Sequence, residues 1–204
     1  MWESAVIRLL DIVIAACVLV LLAPVMVVIA LAIRADSPGR AIFGQERLGL
    51  GKRRFKFYKF RTMYADAADR FPDLYTYEYA PEEILTFRFK IENDPRLTRV
   101  GRFLRRTSLD ELPNFINVLM GDVTLVGPRP EIPEMLKYYL PWQSLKWQVK
   151  PGVTGYAQVQ GRGLLTFQET VHCDVQCVLQ RSLKTYVSVL LQTVTCVLKG
   201  IGAF

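Results

Sequence analysis

The sequence predicts an α/β chain, mainly helical, in which an N-terminal membrane segment, a small β-hairpin and amphipathic helices gather around one central helix. Ile12 to Ile33 is a run of twenty-two apolar residues. Phe55-Lys-Phe-Tyr-Lys-Phe60 reads as a strand with aromatic faces, with Phe43 to Gly51 as its partner. Leu112, Phe115, Ile116, Leu119 and Met120 recur at i, i+3, i+4, i+7 and i+8, which is one apolar face of a helix of about three turns. Residues 1–36 are therefore read as an anchor and 37–204 as one domain, a length that can bury a real core.

At about 1.5 Å per residue the apolar run can cross a bilayer core. The basic n-region and small-residue cleavage site of a signal peptide are weak here, so the segment is expected to stay. Pro24 lies mid-run, where it removes one helix hydrogen bond and leaves the Val20 carbonyl without its usual donor, so a kink is expected. A kinked spanning helix and a re-entrant helix-break-helix both follow, and hydropathy does not choose between them.

Charge is uneven. Residues 1–33 carry a net −1 and residues 34–204 a net +8, with nine basic groups against Asp36 and Glu46 in residues 34–61. Such a block beside a membrane segment attracts anionic lipid head groups, at about 1 kcal/mol per charge near the surface. The four cysteines, Cys17, Cys173, Cys177 and Cys196, show no paired spacing, which favours a reducing cytosolic side. His172-Cys173-x-x-x-Cys177 lacks a fourth ligand for zinc.

Leu48-Gly-Leu-Gly51-Lys52 has neither the earlier Gly nor the following Ser/Thr of a phosphate loop, and Arg54 stands where a dinucleotide fingerprint wants Gly. Strand alternation would send Lys59 and Arg61 to one face. Met63 to Ile91 reads as a short helix and a surface excursion. Arg96, Arg99, Arg102, Arg105 and Arg106 then recur at spacings that place several on one helix face. No groove-reading motif accompanies them and the anchor ties the chain to a membrane, which argues against nucleic acid.

The central stretch, Thr107 to Pro130, supports two readings. Pro113 is tolerated only in a first helical turn, with Asp110 or Ser108 as cap, and Ser108-x-x-Glu111 has the form of a capping box, so these residues could simply start a helix that Gly121 ends. Alternatively, Asp110 and Glu111 face a phosphate site at that helix start, where a divalent metal could bridge the anions. The second reading gains from Val126-Gly127-Pro128-Arg129-Pro130, a rigid turn that presents a guanidinium 19 residues after Asp110. Arg is the usual fork for a diphosphate.

Pro133 to Trp147 is amphipathic and aromatic, suited either to core packing or to an interfacial belt. The glycines of Lys150–Arg162 permit close backbone approach to a ligand, and Tyr186 to Leu198 reads as an interfacial helix.

Ser-Leu-Asp110-Glu111-Leu-Pro, Asn117-Val-Leu-x-Gly-Asp122 and Leu-Val-Gly127-Pro-Arg129-Pro, in this order and spacing, resemble the catalytic core of the bacterial sugar transferases, the small monotopic phosphoglycosyl transferases. Phe43–Gly51, Lys59–Met63, Asn93–Gly101 and Lys150–Arg162 resemble further blocks of that family. The resemblance implies a re-entrant anchor broken at Ala23-Pro24, although many members have Ser-Pro there, and a membrane-associated catalytic domain over 37–204. It also implies transfer of a sugar 1-phosphate from a UDP-sugar to polyprenol (undecaprenyl) phosphate, at the cytoplasmic face of the bacterial inner membrane. Asp110 would be the nucleophile, Asp110 and Glu111 would hold Mg²⁺, and Lys59, Arg61, Arg105, Pro128, Arg129, Pro130, Gln158 and Arg162 would form the phosphate and nucleotide set. The tail keeps Asp174 and Ser182-Leu183, whereas Gln176, Cys177 and Tyr186 replace more typical residues. The sugar and the oligomeric state, a homodimer included, stay open.

Adjacent carboxylates diverge too far for a glycosidase pair, and His172, the only histidine, lies in the divergent tail, which disfavours a Ser-His-Asp hydrolase. The rival from another class is a non-catalytic basic module that recruits partners to anionic lipid.

Overall fold

The computed structural model describes residues 2–89, 91, 93–161 and 164–199. Helix α1 spans Trp2–Asp36, about 52 Å at the usual rise, and is long and apolar enough to cross a membrane by length and composition. Helical backbone continues through Ala23 and Pro24. The expected break is thus absent from the helix itself: one lost hydrogen bond does not stop a run whose flanks are helical on both sides.

Both ends of α1 are tied to the rest of the protein. Arg8 donates to the carbonyls of Val118 (2.7 Å) and Leu119 (3.0 Å). The buried Asp11 accepts from the Thr124 hydroxyl, the Leu125 amide (2.8 Å) and the Tyr186 hydroxyl (2.7 Å). Twenty-five residues on, Asp36 accepts from the Val100 amide at 3.0 Å. Between these ends Leu9, Val13, Val20, Leu21, Val28 and Leu31 remain exposed.

Strands β1 (Ile42–Leu48) and β2 (Arg54–Phe60) form the expected antiparallel hairpin, with Ile42 opposite Phe60 and Leu48 opposite Arg54. Two short helices, α2 (Ala67–Arg70) and α3 (Pro81–Thr86), follow. This region is more than a surface excursion, because Tyr77, Tyr79, Phe87 and Phe89 pack onto a core made by Ile84, Ile132, Met135, Phe167 and Val171. Apolar rings of this size gain by leaving water wherever a partner surface exists.

Helix α4 (Arg99–Thr107) leads through a 3-10 turn, Leu109–Glu111, into α5 (Asn114–Met120), which Gly121 ends at φ 86°. Strand β3 (Thr124–Val126) pairs in parallel with β4 (Gly152–Thr154), a sheet the sequence did not announce. The two strands sit close enough that a Cβ on Gly152 would lie 2.1 Å from the Gly127 nitrogen. Helices α6 (Tyr156–Gln160), α7 (Phe167–Leu179) and α8 (Leu183–Leu198) complete the chain.

The main core joins Ile7 and Ala15 of α1, Phe57 of β2, Val118 of α5, Val123, Leu125 and Val126 around β3, and Tyr186 and Val189 of α8. A second core places Ile29 and Ile33 against Phe60, Leu104 and Leu112. Both readings of residues 133–147 hold in part: Trp147 is buried against Tyr139, whereas Trp142 is 49% exposed. Helix α8 turns Val187, Leu191 and Val194 outward at four- and three-residue spacing, an apolar face like that of α1.

Candidate active site

The site begins with a close helix approach. Gly101 lets α4 press on the strand exit, where a Cβ would meet the Thr62 carbonyl oxygen at 1.9 Å. Arg105, one turn later, donates through Nε to the Thr62 hydroxyl (3.2 Å) and lies 3.6 Å from the Asp94 carboxylate, which is already forked by Arg96 at 2.8 Å. Two members of the arginine series are therefore not part of a free basic face, Arg96 buried in its ion pair and Arg105 half-buried beside it, whereas Arg99, Arg102 and Arg106 are exposed.

Ser108 then takes the left-handed conformation, φ 60°, and ends α4. This reversal delivers Asp110 and Glu111 on one 3-10 turn ahead of α5. The Ser108 hydroxyl caps nothing there, and Glu111 reaches Lys59 on β2 at 2.7 Å, so the capping box is not built. Pro113 is the N-cap of α5.

Asn117 sets the spacing between α5 and the hairpin. Its fully buried amide donates to the Lys56 carbonyl (2.7 Å) and to Asp122 (3.2 Å), and its oxygen accepts from the Tyr58 amide (3.0 Å). Lys59, one residue past Tyr58, is thereby held opposite Glu111.

Beyond β3, the turn at Gly127–Pro130 is clamped at several points. Pro128 O accepts from the Gly152 amide (2.8 Å), the Arg129 amide donates to Asp174 Oδ1 (2.9 Å), and Pro130 O accepts from Arg47 (3.1 Å). A cleft of about 240 Å³ opens between this turn, the hairpin and α6, lined by Arg47, Phe57, Lys59, Glu111, Arg129, Pro130, Gly152, Val153 and Gln158. Lys59, Glu111, Arg129, Pro130 and Gln158 meet there as the sequence anticipated.

Electrostatics single out Asp110. Burial pushes its carboxyl up to about 6, with Glu111 adding to the rise and Lys59 and Arg105 opposing it. Burial, with Arg129 beside it, lowers the Arg47 guanidinium to about 10. Two guanidiniums thus crowd one cleft wall, which an anionic ligand would relieve.

Two expectations need correction. Arg61 is not in the cleft: β2 ends at Phe60, and the Arg61 guanidinium turns to the carbonyls of Ser37 (2.7 Å) and Pro38 at the end of α1. Pro128 lines a different groove with Val126, Gly127, Ile7, Cys177 and Tyr186, and the chain crosses to the cleft only at Arg129 and Pro130. Arg162 lies outside the described residues.

For Mg²⁺, Asp110 and Glu111 offer adjacent carboxylates, and no group of three or more His, Cys, Asp or Glu side chains gathers to hold a metal among the described residues. That donor set fits the ion, which binds through one or two carboxylates and completes its shell with water and phosphate oxygens. The raised Asp110 carboxyl also points to a site that gains from added positive charge.

The model of the family described as "Bacterial sugar transferase" matches residues 2–200. The chain belongs to this family. Among its relatives within the bacterial sugar transferases, a galactosyl transferase CpsE of Streptococcus agalactiae is 43% identical over 84% of this chain and 37% of its own length. An undecaprenyl-phosphate galactose phosphotransferase of Salmonella typhimurium is 36% identical over 97% of this chain and 41% of its own length. A UDP-glucose:undecaprenyl-phosphate glucose-1-phosphate transferase of Caulobacter vibrioides is 38% identical over 97% of this chain and 71% of its own. The chain thus spans about two fifths of the length of the first two relatives. The family blocks now have physical roles: Asn117 links helix to hairpin, and Gly127 permits the parallel strand contact. Arg47 is a cleft residue that sequence reasoning left among lipid-facing charges; nothing in a dense basic run marks which of its side chains turn inward.

Proposed function

We propose that this chain transfers a sugar 1-phosphate from a UDP-sugar to polyprenol phosphate, with release of UMP, as the first membrane step of glycoconjugate assembly. The observation that carries this is the half-buried Asp110, its carboxyl raised to about 6 within the field of Lys59 and Arg105, beside a cleft lined by Arg47 and Arg129. An ionised carboxylate held in that field is a competent covalent nucleophile toward phosphorus.

A carboxylate oxygen of Asp110 attacks the sugar-proximal phosphorus, the phosphoanhydride bond breaks, and UMP departs with the electron pair. A phosphate oxygen of the lipid then attacks the same phosphorus, forming the lipid diphosphate and returning the Asp110 carboxylate. Arg129 and Arg47 hold the diphosphate oxygens, and Lys59 orients Glu111 and offsets developing charge. Mg²⁺ bound by Asp110 and Glu111 would supply Lewis-acid polarisation and neutralise the repulsion between carboxylate and phosphate.

We place the domain on the cytoplasmic face, with both ends of α1 on that same side. The docking of Arg8 and Asp11 at one end and of Asp36 at the other onto a single domain supports this, since a spanning helix would carry one set across the bilayer. The exposed apolar faces of α1 and α8 would meet lipid, and the four unpaired cysteines suit a reducing compartment.

Incubation with a panel of UDP-sugars and Mg²⁺ but no lipid should release UMP and add a phosphosugar mass to the Asp110 peptide. Asp110→Asn should abolish both. Lipid-linked product formed at normal speed by that variant would overturn the proposal.

A further inference from the structure

Behind the Arg129 turn lies a sealed polar cluster that the chemistry above does not use. Asp174 of α7 (1% exposed), Lys146 (3%) and Glu131 (3%) are all buried. Lys146 Nζ lies 2.8 Å from Asp174 Oδ2 and 3.8 Å from Glu131 Oε2, and it donates to the Tyr139 hydroxyl at 2.8 Å. Tyr139 in turn donates to Glu131 Oε2 at 2.7 Å. Three ionisable groups out of water oppose folding unless every charge is matched, so a retained cluster is better explained by the geometry it enforces than by stability.

What it enforces can be followed along the backbone. Pro128 and Pro130 have no amide hydrogen, so this segment has few donors with which to fix itself. The Arg129 amide is taken by Asp174 Oδ1 at 2.9 Å. The Ile132 amide is taken by Glu131 Oε1 at 3.0 Å, and the Glu131 carbonyl accepts from Leu48 at 2.8 Å. Of the four, only the Arg129 side chain enters the cleft, while Asp174, Lys146 and Tyr139 stay outside it.

We infer that Asp174, held by Lys146, whose ammonium Tyr139 in turn fixes, is a positioning residue that holds the Arg129 backbone and so aims its guanidinium at the diphosphate of the nucleotide. This rests on the proposed function, which gives Arg129 its ligand. The acceptor oxygen of Asp174 is the essential atom; the Lys146 charge serves to keep that oxygen in place.

The test compares two charge-neutral double variants of the full chain in lipid nanodiscs, with UDP as the binding probe. Asp174→Asn with Lys146→Met keeps an acceptor for the Arg129 amide, whereas Asp174→Leu with Lys146→Met removes it. The first should bind UDP within about threefold of wild type and the second about ten- to a hundredfold more weakly, at similar melting temperatures. Adding Arg129→Ala to the second should cost little more, because the guanidinium is already misplaced. Tyr139→Phe, a milder change, should weaken UDP binding about threefold and lower the melting temperature modestly, because Glu131 and Lys146 each lose a partner.

Unchanged UDP affinity in the Leu/Met variant overturns the inference, as does a full additional Arg129→Ala loss in that background. Should neither double variant fold, unchanged affinity in Tyr139→Phe overturns it as well. A wild-type protein that binds no UDP sinks the proposed function instead, so the two failures are distinguishable.

Discussion

The ammonium of Lys59 lies 2.7 Å from Glu111 Oε1, joining the second hairpin strand to the turn that carries Asp110. Because Lys59 also pulls the raised Asp110 carboxyl downward, one cation serves two neighbouring carboxyls. Lys59→Met should move the acidic limb of the kcat/KM profile for UMP release from about pH 6 to higher pH and lower the plateau about ten- to a hundredfold. A pH profile that keeps its wild-type limb would show that Lys59 does not act on Asp110.

Asp110 also couples activity to stability. Its ordinary value of 3.8 rises to about 6 in the fold, so ionisation begins to cost folded-state stability as pH climbs above about 4, and the cost is complete above about 7. Asp110→Asn, though inactive, should be more stable than wild type by about 1–3 kcal/mol at pH 7.5 and equal to it near pH 4. Thermal melts at the two pH values provide the measurement.

Asn117→Ala should destabilise the protein by about 2–4 kcal/mol, because it leaves the Lys56 carbonyl and the Tyr58 amide without their partner. Since the same amide sets the distance from Lys59 to Glu111, kcat should also fall while folded protein persists. Denaturant titration beside single-turnover UMP release separates the two effects.

Arg61 and Arg129 should part company on substitution by lysine. Arg61→Lys loses its forked hold on Ser37 and Pro38, lowering stability by about 1–3 kcal/mol with the KM for UDP-sugar unchanged. Arg129→Lys should raise that KM about tenfold or more with little change in melting temperature, because an ammonium cannot reproduce a bidentate phosphate contact.

The apolar period of residues 112–120 was readable in advance because a helix repeats its pattern, and so was the hairpin at Ile42–Phe60. The details that build the site were less so. Strands β3 and β4 are three residues each, too short for any periodicity to show. The left-handed Ser108 makes a capping motif into a chain reversal, and Arg61 falls one residue past the end of its strand, which defeats an alternation argument. Lys146 looks like an ordinary surface charge in the sequence and nothing there pairs it with Asp174; only tertiary folding brings them together in a place without water.

The clasp at Asp11 also implies an order of events during biogenesis. Its carboxylate is synthesised 175 residues before the Tyr186 hydroxyl that it accepts from. Until α8 emerges, that carboxylate has only the Thr124 hydroxyl and the Leu125 amide to accept from, and its set of donors is incomplete. The last element to be made thus completes the hold on the first, so a chain that ends before α8 should keep α1 less firmly docked, which hydrogen exchange at the Leu125 amide would report.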